Sequence, residues 1–174
     1  MLVKILKRAK VLAEQKVELF CSSSLKFFLY NKIDHTNFDD AVLEAFSKLD
    51  DYDILSAIKE WANHSDKILS SLSRMLVNRD LLKIEMSDEK ISDSHELDMM
   101  IDFMRTSNLL KRDAEYFVFT GEISNHAYNK KQPIKIVSKS GKLKDIAKAS
   151  DQLNIQALSK PVKKYFICYP KEMN

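Results

Sequence analysis

Four lysines surround one predicted turn and are the side chains in this sequence best placed to bind an anion. Lys139, Lys142, Lys144 and Lys148 flank the Ser140-Gly141 dipeptide, which marks a hairpin-like turn. A hairpin can bring several ammonium groups around one phosphate. The alternative is a solvated lysine turn with no ligand, because charge runs are common on protein surfaces. The pattern therefore predicts either a phosphate site or an ordinary basic turn.

Other reaction chemistry has less support in the sequence. His95 and Glu96 begin like the zinc-binding HExxH motif, but Met99 stands where the second histidine belongs. One histidine with carboxylates on a helix is more typical of a solvated face than of a metal site. Glycine occurs only at positions 121 and 141, which excludes a P-loop, a dinucleotide-binding glycine fingerprint and a serine nucleophile elbow. The sequence thus predicts no metal site and no catalytic residue.

Length and composition place the chain in a broad class. Its 174 residues are enough for one domain or two small lobes, and there is no apolar run long enough to cross a membrane. Lysines interrupt the apolar residues near the start, so we expect no signal peptide. Cys21 and Cys168 stand far apart without partners and are expected to be buried thiols in a reducing compartment. A cytoplasmic protein is the simplest interpretation.

Charge is distributed unevenly, although the net charge is only +3. Residues 1–16 carry five Lys/Arg against one Glu, and residues 126–174 carry eleven Lys against three acids. Residues 34–66 carry nine Asp/Glu against two Lys. This asymmetry can steer an anionic ligand or nucleic acid to the basic end, or it can reflect complementary lobes or a solvated surface.

Helical periodicity dominates the first 80 residues. A helix over residues 2–15 places Leu2, Ile5 and Leu6 on one face. A second helix begins after Ser23 or Ser24 as the cap, with Phe27, Phe28 and Tyr30 expected in the core. A third covers residues 39–49, and its predicted inward residues are Ala41, Val42, Ala45, Phe46 and Leu49.

The stretch from Leu49 to Met86 predicts two further helices and a strand. Asp50 or Asp51 can cap the first helix and Ser65 the second, and His64 with Asp66 is expected to help the chain turn between them. Arg79 is expected to form an ion pair with an acid of the preceding helices. The apolar residues of this stretch are spaced for buried helix faces and then alternate as in a strand, namely Ile54, Ile58, Trp61, Ile68, Leu69, Leu72, Met75, Leu76, Leu82, Ile84 and Met86.

The second part of the chain changes to mixed periodicity. We predict strands at 82–87, 115–123, 133–137 and 162–169, with helices at 88–107 and 146–153. This order is the split βαβ pattern, βαββαβ, of a ferredoxin-like lobe. The fold prediction is therefore α+β, with an all-helical lobe at 1–80 followed by a smaller α+β lobe at 81–174.

Two sets of residues follow a recognisable order along the chain. The first comprises the acidic Leu49-Asp50-Asp51, then Ile58, Trp61, Asp66, Leu69, Arg79 and Leu81-Leu82-Lys83. The second comprises Glu115-Tyr116-Phe117-Val118, the Tyr128 loop, the Ser138–Asp145 hairpin and the Lys164–Pro170 segment. In this order the chain resembles the post-catalytic region of the HD-domain phosphohydrolases, most of all the SAM-and-HD-domain deoxynucleotide triphosphohydrolases and their bacterial kin.

The resemblance implies that the catalytic metal centre lies upstream of these residues. HD enzymes hold one or two metals with a His, an adjacent His-Asp pair and a distant Asp. His35, His64, His95 and His126 precede Thr, Ser, Glu and Ala, so no His-Asp pair is present. We therefore expect this chain alone not to hydrolyse nucleotides, and we expect the divalent metal only in the missing catalytic part.

The resemblance also gives the lysine turn a role. In the resembling triphosphohydrolases, basic residues of the C-terminal hairpin contact an activating nucleotide at a subunit junction. Lys142 and Lys144 match those positions best, and Lys139 lies beside them. The family often has Arg there, which binds phosphate bidentately where Lys cannot.

Two principal hypotheses follow from the sequence. The first is the non-catalytic C-terminal region of an HD-family (deoxy)nucleotide phosphohydrolase, whose partners are its own upstream HD domain, further copies in a homo-oligomer and a nucleotide effector. The second is a free-standing interaction or nucleic-acid-binding module with a basic sheet lobe. Its strands match the sequence pattern of an RNA-recognition motif only in part, at residues 116–119. An enzyme with an unrecognised site is a weaker third option.

Overall fold

A computed structural model describes residues 1–125, 134–145 and 162–171. The chain divides into two units: unit 1 takes the described residues of Met1–Lys83, Leu97–Phe119 and Cys168–Asn174, and unit 2 those of Ile84–Glu96 and Thr120–Ile167. The chain first enters unit 2 after Lys83. Two later segments nevertheless belong to unit 1, so the units are not consecutive halves of the chain.

The α+β prediction is confirmed, with helices in the first part and strands later. The helices are α1 (Leu2–Glu14), α2 (Ser23–Tyr30), α3 (Asp40–Ser47), α4 (Asp51–Trp61), α5 (Lys67–Val77), α6 (Asp93–Ser107) and α7 (Lys111–Ala114). The strands are β1 (Lys83–Ser87), β2 (Phe119–Asn125), β3 (Lys135–Val137), β4 (Leu143–Asp145) and β5 (Val162–Tyr169). None of the described helices is long and apolar enough to span a bilayer.

The core of unit 1 is formed by the apolar stripes of α1, α2, α4 and α5. Its fully buried side chains include Ile5, Ile58, Trp61, Leu69 and Leu72. The i, i+3 and i+4 spacing of these residues places each set on one helix face, which is why burial is concentrated there. The predicted inward faces of α4 and α5 are thus confirmed.

Side-chain hydrogen bonds fix the loop that enters α2. The Trp61 Nε1–H donates to the Phe20 carbonyl at 2.9 Å, and the Tyr30 hydroxyl donates to the Val17 carbonyl at 2.8 Å. The Leu19 amide donates to the same Tyr30 oxygen at 3.0 Å. Because both rings are also packed in or against the core, these bonds hold the loop and pair three of its backbone groups.

The helix caps differ in part from those predicted. Asp50 caps α4 through a capping box with Asp53, as expected. The cap of α5 is Asp66 rather than Ser65, and the cap of α2 is Ser22 rather than Ser23 or Ser24. A carboxylate can accept the Leu69 amide and an ion pair at the same time, which favours Asp66 over the neighbouring serine.

Arg79 has a backbone role at the end of α5 instead of the ion pair predicted from the sequence. Arg79 has a φ of 59° and follows the C-cap Asn78. Its amide donates to the Leu76 carbonyl and the Asp80 amide to the Met75 carbonyl, which is the Schellman arrangement. Arg79 is exposed and has no ion pair within the part of the chain that the structure describes, so the predicted ion pair is wrong.

The described strands form two sheets. A three-stranded sheet has the order β1-β5-β2, and β3 pairs only with β4 in an antiparallel hairpin. The ferredoxin-like arrangement would join four strands in one sheet, and the described residues do not do so. The tight turn at residues 138–142 returns the chain onto β3 through β4. This strand was absent from the strands predicted by periodicity, although the family resemblance included a Ser138–Asp145 hairpin. The predicted helix at 146–153 lies outside the described residues.

Gly121 in β2 is required by a ring on the neighbouring strand. A Cβ at this position would lie 2.5 Å from Cζ of Phe166 in β5. Real Cβ atoms do not approach a ring carbon so closely, so a side chain here would displace the phenylalanine. The glycine therefore lets the ring lie directly over the backbone of β2.

Candidate phosphate-binding hairpin

The β3–β4 hairpin holds the predicted lysine turn in a defined register. Ile136 lies opposite Lys144, and Val137 opposite Leu143. The Ser138 hydroxyl donates to the Lys142 carbonyl at 3.1 Å and accepts the Lys142 amide at 3.1 Å, so one serine closes the turn. Gly141 has a φ of 76° and open space around it, a conformation that glycine adopts without strain.

The alternation of an extended strand predicts that Lys142, just before β4, and Lys144, within it, lie on one face. Lys142 and Lys144 are two residues apart, and side chains alternate along an extended strand. Their Cα atoms are consequently about 7 Å apart on the same side of the hairpin, within reach of one phosphate for two flexible four-carbon stems. Lys139 lies within the turn, and Lys148 lies outside the described residues.

The three described lysines of the turn also differ in their ion pairing from other described lysines of unit 2. Lys139, Lys142 and Lys144 are exposed, and none has an ion pair within residues 134–145 or the other described ranges. Elsewhere in unit 2, Lys163 pairs with Glu122 at 2.7 Å, and Lys164 pairs with Asp88. The sequence cannot tell these two groups of lysines apart, because pairing depends on which carboxylates the strands bring near.

Unit 1 contains a different cationic site, which the sequence missed. Arg8 on α1 donates from Nη2 to Asp66 Oδ2 at 2.6 Å and from Nε to Asp66 Oδ1 at 3.0 Å. Its Nη1 lies 3.4 Å from Asp113 of α7, and its guanidinium lies 5.4 Å from the centre of the Tyr116 ring. This cluster joins three parts of unit 1 and uses the Nε, Nη1 and Nη2 groups of Arg8 within the fold.

The pKa values of this cluster follow from its geometry. The hydrogen bond to Asp66 raises the pKa of Arg8 above its ordinary value. Burial by itself would raise the pKa of Asp66, but the hydrogen bonds from Arg8 and from the Leu69 amide outweigh it and lower that pKa. His64 helps the chain turn between α4 and α5, as predicted from the sequence, because its Nδ1 accepts a hydrogen bond from the Asp66 amide at 3.0 Å.

The described histidines do not assemble a metal centre. His35 and His95 are exposed, His64 is bonded to the Asp66 amide, and His126 lies outside the described residues. No group of three or more His, Cys, Asp or Glu side chains that could hold a metal occurs within the described ranges. Burial raises the pKa of both Cys21 and Cys168, which disfavours the thiolate that binds metals.

Comparison with known proteins relates this chain to a solved structure. No protein-family model and no curated protein matches this sequence. Among solved structures, the chain is similar to a phosphohydrolase from Bacteroides thetaiotaomicron VPI-5482, with 45% sequence identity and a TM-score of 0.80. The match covers 98% of this chain and 43% of that protein. The chain is thus related to a protein described as a phosphohydrolase and spans less than half of its length.

Proposed function

We propose that this chain is the non-catalytic C-terminal region of an HD-family metal-dependent (deoxy)nucleotide phosphohydrolase. The observation that carries the proposal is the match to the Bacteroides phosphohydrolase, which covers nearly all of this chain but less than half of its relative. The absence of a His-Asp pair from the sequence supports the assignment to a part outside the metal centre. The described residues do not fit an HD metal site, and we assign no metal chemistry to them.

The proposed roles are structural and regulatory. The region packs on its own upstream HD domain, supports a homo-oligomer and helps to form a nucleotide-binding site. A cytoplasmic location is part of the proposal, because free deoxynucleotides and reduced thiols occur together there. The substrate class, deoxynucleoside triphosphates, belongs to the upstream part and rests on the resemblance of motifs such as Asp66 and Arg79 with the residues that follow each.

The regulatory site is proposed at the β3–β4 hairpin. Lys142 and Lys144 share one face, are exposed and lack ion pairs within the described residues. Lysine binds phosphate as a flexible point charge, so two or three of them can surround a triphosphate without a preformed pocket. Lys139 completes the cluster from the turn.

Nucleotide-dependent thermal stabilisation tests the regulatory role. A ligand at a hundred times its Kd stabilises the folded state by about 2.7 kcal/mol, which is a readily measured rise in Tm. We expect a deoxynucleoside triphosphate to raise the Tm of the chain joined to its upstream region. The Lys142→Ala, Lys144→Ala double variant should lose this rise, and Lys163→Ala, which removes a paired lysine, should keep it. An unchanged rise in the double variant would exclude the hairpin.

A second candidate function is a nucleic-acid-binding module. The same lysines, which have no ion pair among the described residues, favour it, because contacts to phosphates dominate nonspecific binding. This function predicts RNA or DNA binding whose affinity falls steeply with salt and no Tm change with free deoxynucleotides. Titration with an oligonucleotide at two salt concentrations therefore separates the two functions.

A further inference from the structure

Three apolar side chains at α3 face solvent in a helix that the sequence predicts to be packed inward. Phe38, Leu43 and Phe46 are 53%, 52% and 58% exposed, and we call them the α3 patch. The buried residue of α3 is Val42 alone. The prediction that Phe46 points into the core is therefore wrong, and α3 presents an apolar surface that the described residues of unit 1 do not cover.

The spacing of these residues makes the patch continuous along the helix. Asp39 is the N-cap of α3 and accepts the Val42 amide at 3.0 Å. Phe38 therefore occupies the position before the cap and Leu43 the fourth helical position, which is the spacing of a hydrophobic staple. Phe46 lies three residues beyond Leu43, on the neighbouring part of the same face.

Contacts beneath the patch hold its largest side chain in place. The Phe46 ring meets the Phe28 ring edge-on, with centroids 6.2 Å apart, and Phe28 in turn meets Phe27 at 5.4 Å. Lys10 of α1 donates to the Phe28 carbonyl at 2.9 Å and so fixes the end of α2 on which these rings stand. A preorganised aromatic side chain that remains half exposed is typical of the anchor residues of protein interfaces.

The surroundings of the patch are acidic. Asp39 caps α3, Asp40 lies in its first turn, and Glu44, whose hydrogen bond to Lys48 lowers its pKa, lies beside Leu43. The whole segment 34–66 carries nine acids and two lysines. Complementary potential governs partner choice at interfaces, so the matching surface should offer an apolar depression with a Lys/Arg rim.

We propose that the α3 patch docks the part of the phosphohydrolase that this chain does not match, through a basic-rimmed apolar surface of that part. The inference rests on the proposed function and adds the surface through which the two parts join. The matched region is only 43% of the Bacteroides protein, which leaves more than half of such a protein to cover apolar surface on it. The patch is an apolar surface of the kind that such docking would bury.

Hydrogen exchange in a full-length chimera tests the proposal. In the chimera, this chain replaces the matched region of the Bacteroides phosphohydrolase, and amide exchange over Asp40–Ser47 is compared with that of the isolated chain. We expect exchange at least tenfold slower in the chimera, because a covered helix opens less often. Phe46→Ser should remove most of this difference. Phe20→Ser, which changes a phenylalanine of similar exposure (57%) outside α3, should retain it.

Several results would overturn the proposal. Equal α3 exchange in the chimera and the isolated chain would do so, and so would unchanged protection in Phe46→Ser. Protection that grows with concentration in the isolated chain would identify a second copy as the occupant instead. If the chimera does not fold, the same comparison is made between the intact Bacteroides phosphohydrolase and its matched region, at the aligned helix. None of these results bears on whether the chain is catalytic, so the proposed function is tested separately.

Discussion

Arg8 and the lysines of the β3–β4 hairpin are cationic sites with opposite surroundings. Arg8 is mostly buried; its guanidinium donates to Asp66 and Asp113 and lies near the Tyr116 ring. Lys142 and Lys144 are exposed and have no ion pair within the described residues. A cation whose hydrogen bonds are satisfied holds the fold together, whereas an unneutralised one is available to an anion. By this comparison the Arg8 cluster stabilises unit 1, and the hairpin is the place where we propose that a ligand binds.

The strongest test of this division is removal of the largest buried side chain of unit 1. Trp61→Ala should lower the free energy of unfolding by about 3–5 kcal/mol, because it leaves a cavity and an unpaired Phe20 carbonyl. Denaturant titration measures the change. Tyr52→Ala on the same helix, where the ring is 81% exposed, should change the free energy of unfolding by no more than about 0.5 kcal/mol. Similar losses in both variants would contradict the assignment of the core.

The Arg8 cluster should contribute the next largest effect. Arg8→Met keeps much of the aliphatic volume but leaves two carboxylates of low exposure without their cation. We expect a loss of about 2 kcal/mol at neutral pH, below the figure for fully buried pairs because water still reaches this one. Lys7→Met, on the same helix, serves as the control and should have little effect.

The same variant predicts a pH dependence with a definite sign. The folded pKa of Asp66 is lowered, so its stabilising contribution is complete above the unfolded value of about 3.9 and is lost as pH falls through the folded pKa. The advantage of the wild type over Arg8→Met should therefore shrink as the pH falls below about 4. Unfolding measured at pH 7 and pH 3 checks this, and a constant difference would mean that Arg8 acts through packing alone.

A substitution at Gly121 tests side-chain packing within unit 2. Gly121→Ala should cost about 1–2 kcal/mol, because the new Cβ would overlap the Phe166 ring. Leucine at position 166 removes the ring. Gly121→Ala should therefore cost less free energy of unfolding when it is added to Phe166→Leu than when it is made in the wild type. Additive losses in this cycle would show that the two residues do not interact.

Replacement of a buried serine should give a smaller change, and it should stabilise the fold. Ser73 is fully buried in α5, and its hydroxyl has no hydrogen-bond partner within the described residues. Ser73→Ala should raise the free energy of unfolding by about 1 kcal/mol, because an unpaired hydroxyl is costly to bury. Ser70→Ala is the matched control and should be destabilising, since the Ser70 hydroxyl donates to the Asp66 carbonyl at 2.9 Å.

The smallest expected effect on stability is at the hairpin lysines. Lys142→Ala and Lys144→Ala remove exposed side chains that have no partner among the described residues, so the free energy of unfolding should change by no more than about 0.5 kcal/mol. Thermal unfolding without ligand measures this directly. A larger loss would mean that these lysines serve the fold, and the contrast with Arg8 would disappear.

Periodicity predicted the helical elements well because burial of one face dictates the sequence pattern. The stripes of α4 and α5 and the strand at 162–169 were predicted closely. The cap of α5 was misplaced by one residue, because the choice between Ser65 and Asp66 depends on Arg8, a residue distant in sequence. Phe46 was misassigned because apolar periodicity predicts a face to be covered but does not identify what covers it.

The candidate site was predicted only in part. The turn and its lysines were evident from Ser140-Gly141 and the surrounding charges, but the second hairpin strand was not. Whether a lysine is paired depends on pairing between strands, so Lys142 and Lys163 have the same appearance in the sequence. Asp66 was part of the recognised sequence pattern, but the pattern did not identify Arg8 as its ion-pair partner.

Metal-dependent triphosphate hydrolysis is the most direct test of the central claim that this chain lies outside the catalytic centre. The isolated chain and the chain joined to its upstream region should be assayed side by side with a deoxynucleoside triphosphate and Mg²⁺ or Mn²⁺. The account predicts release of triphosphate only when the upstream region is present. Metal-dependent release by these 174 residues alone, retained through purification to homogeneity, would contradict it.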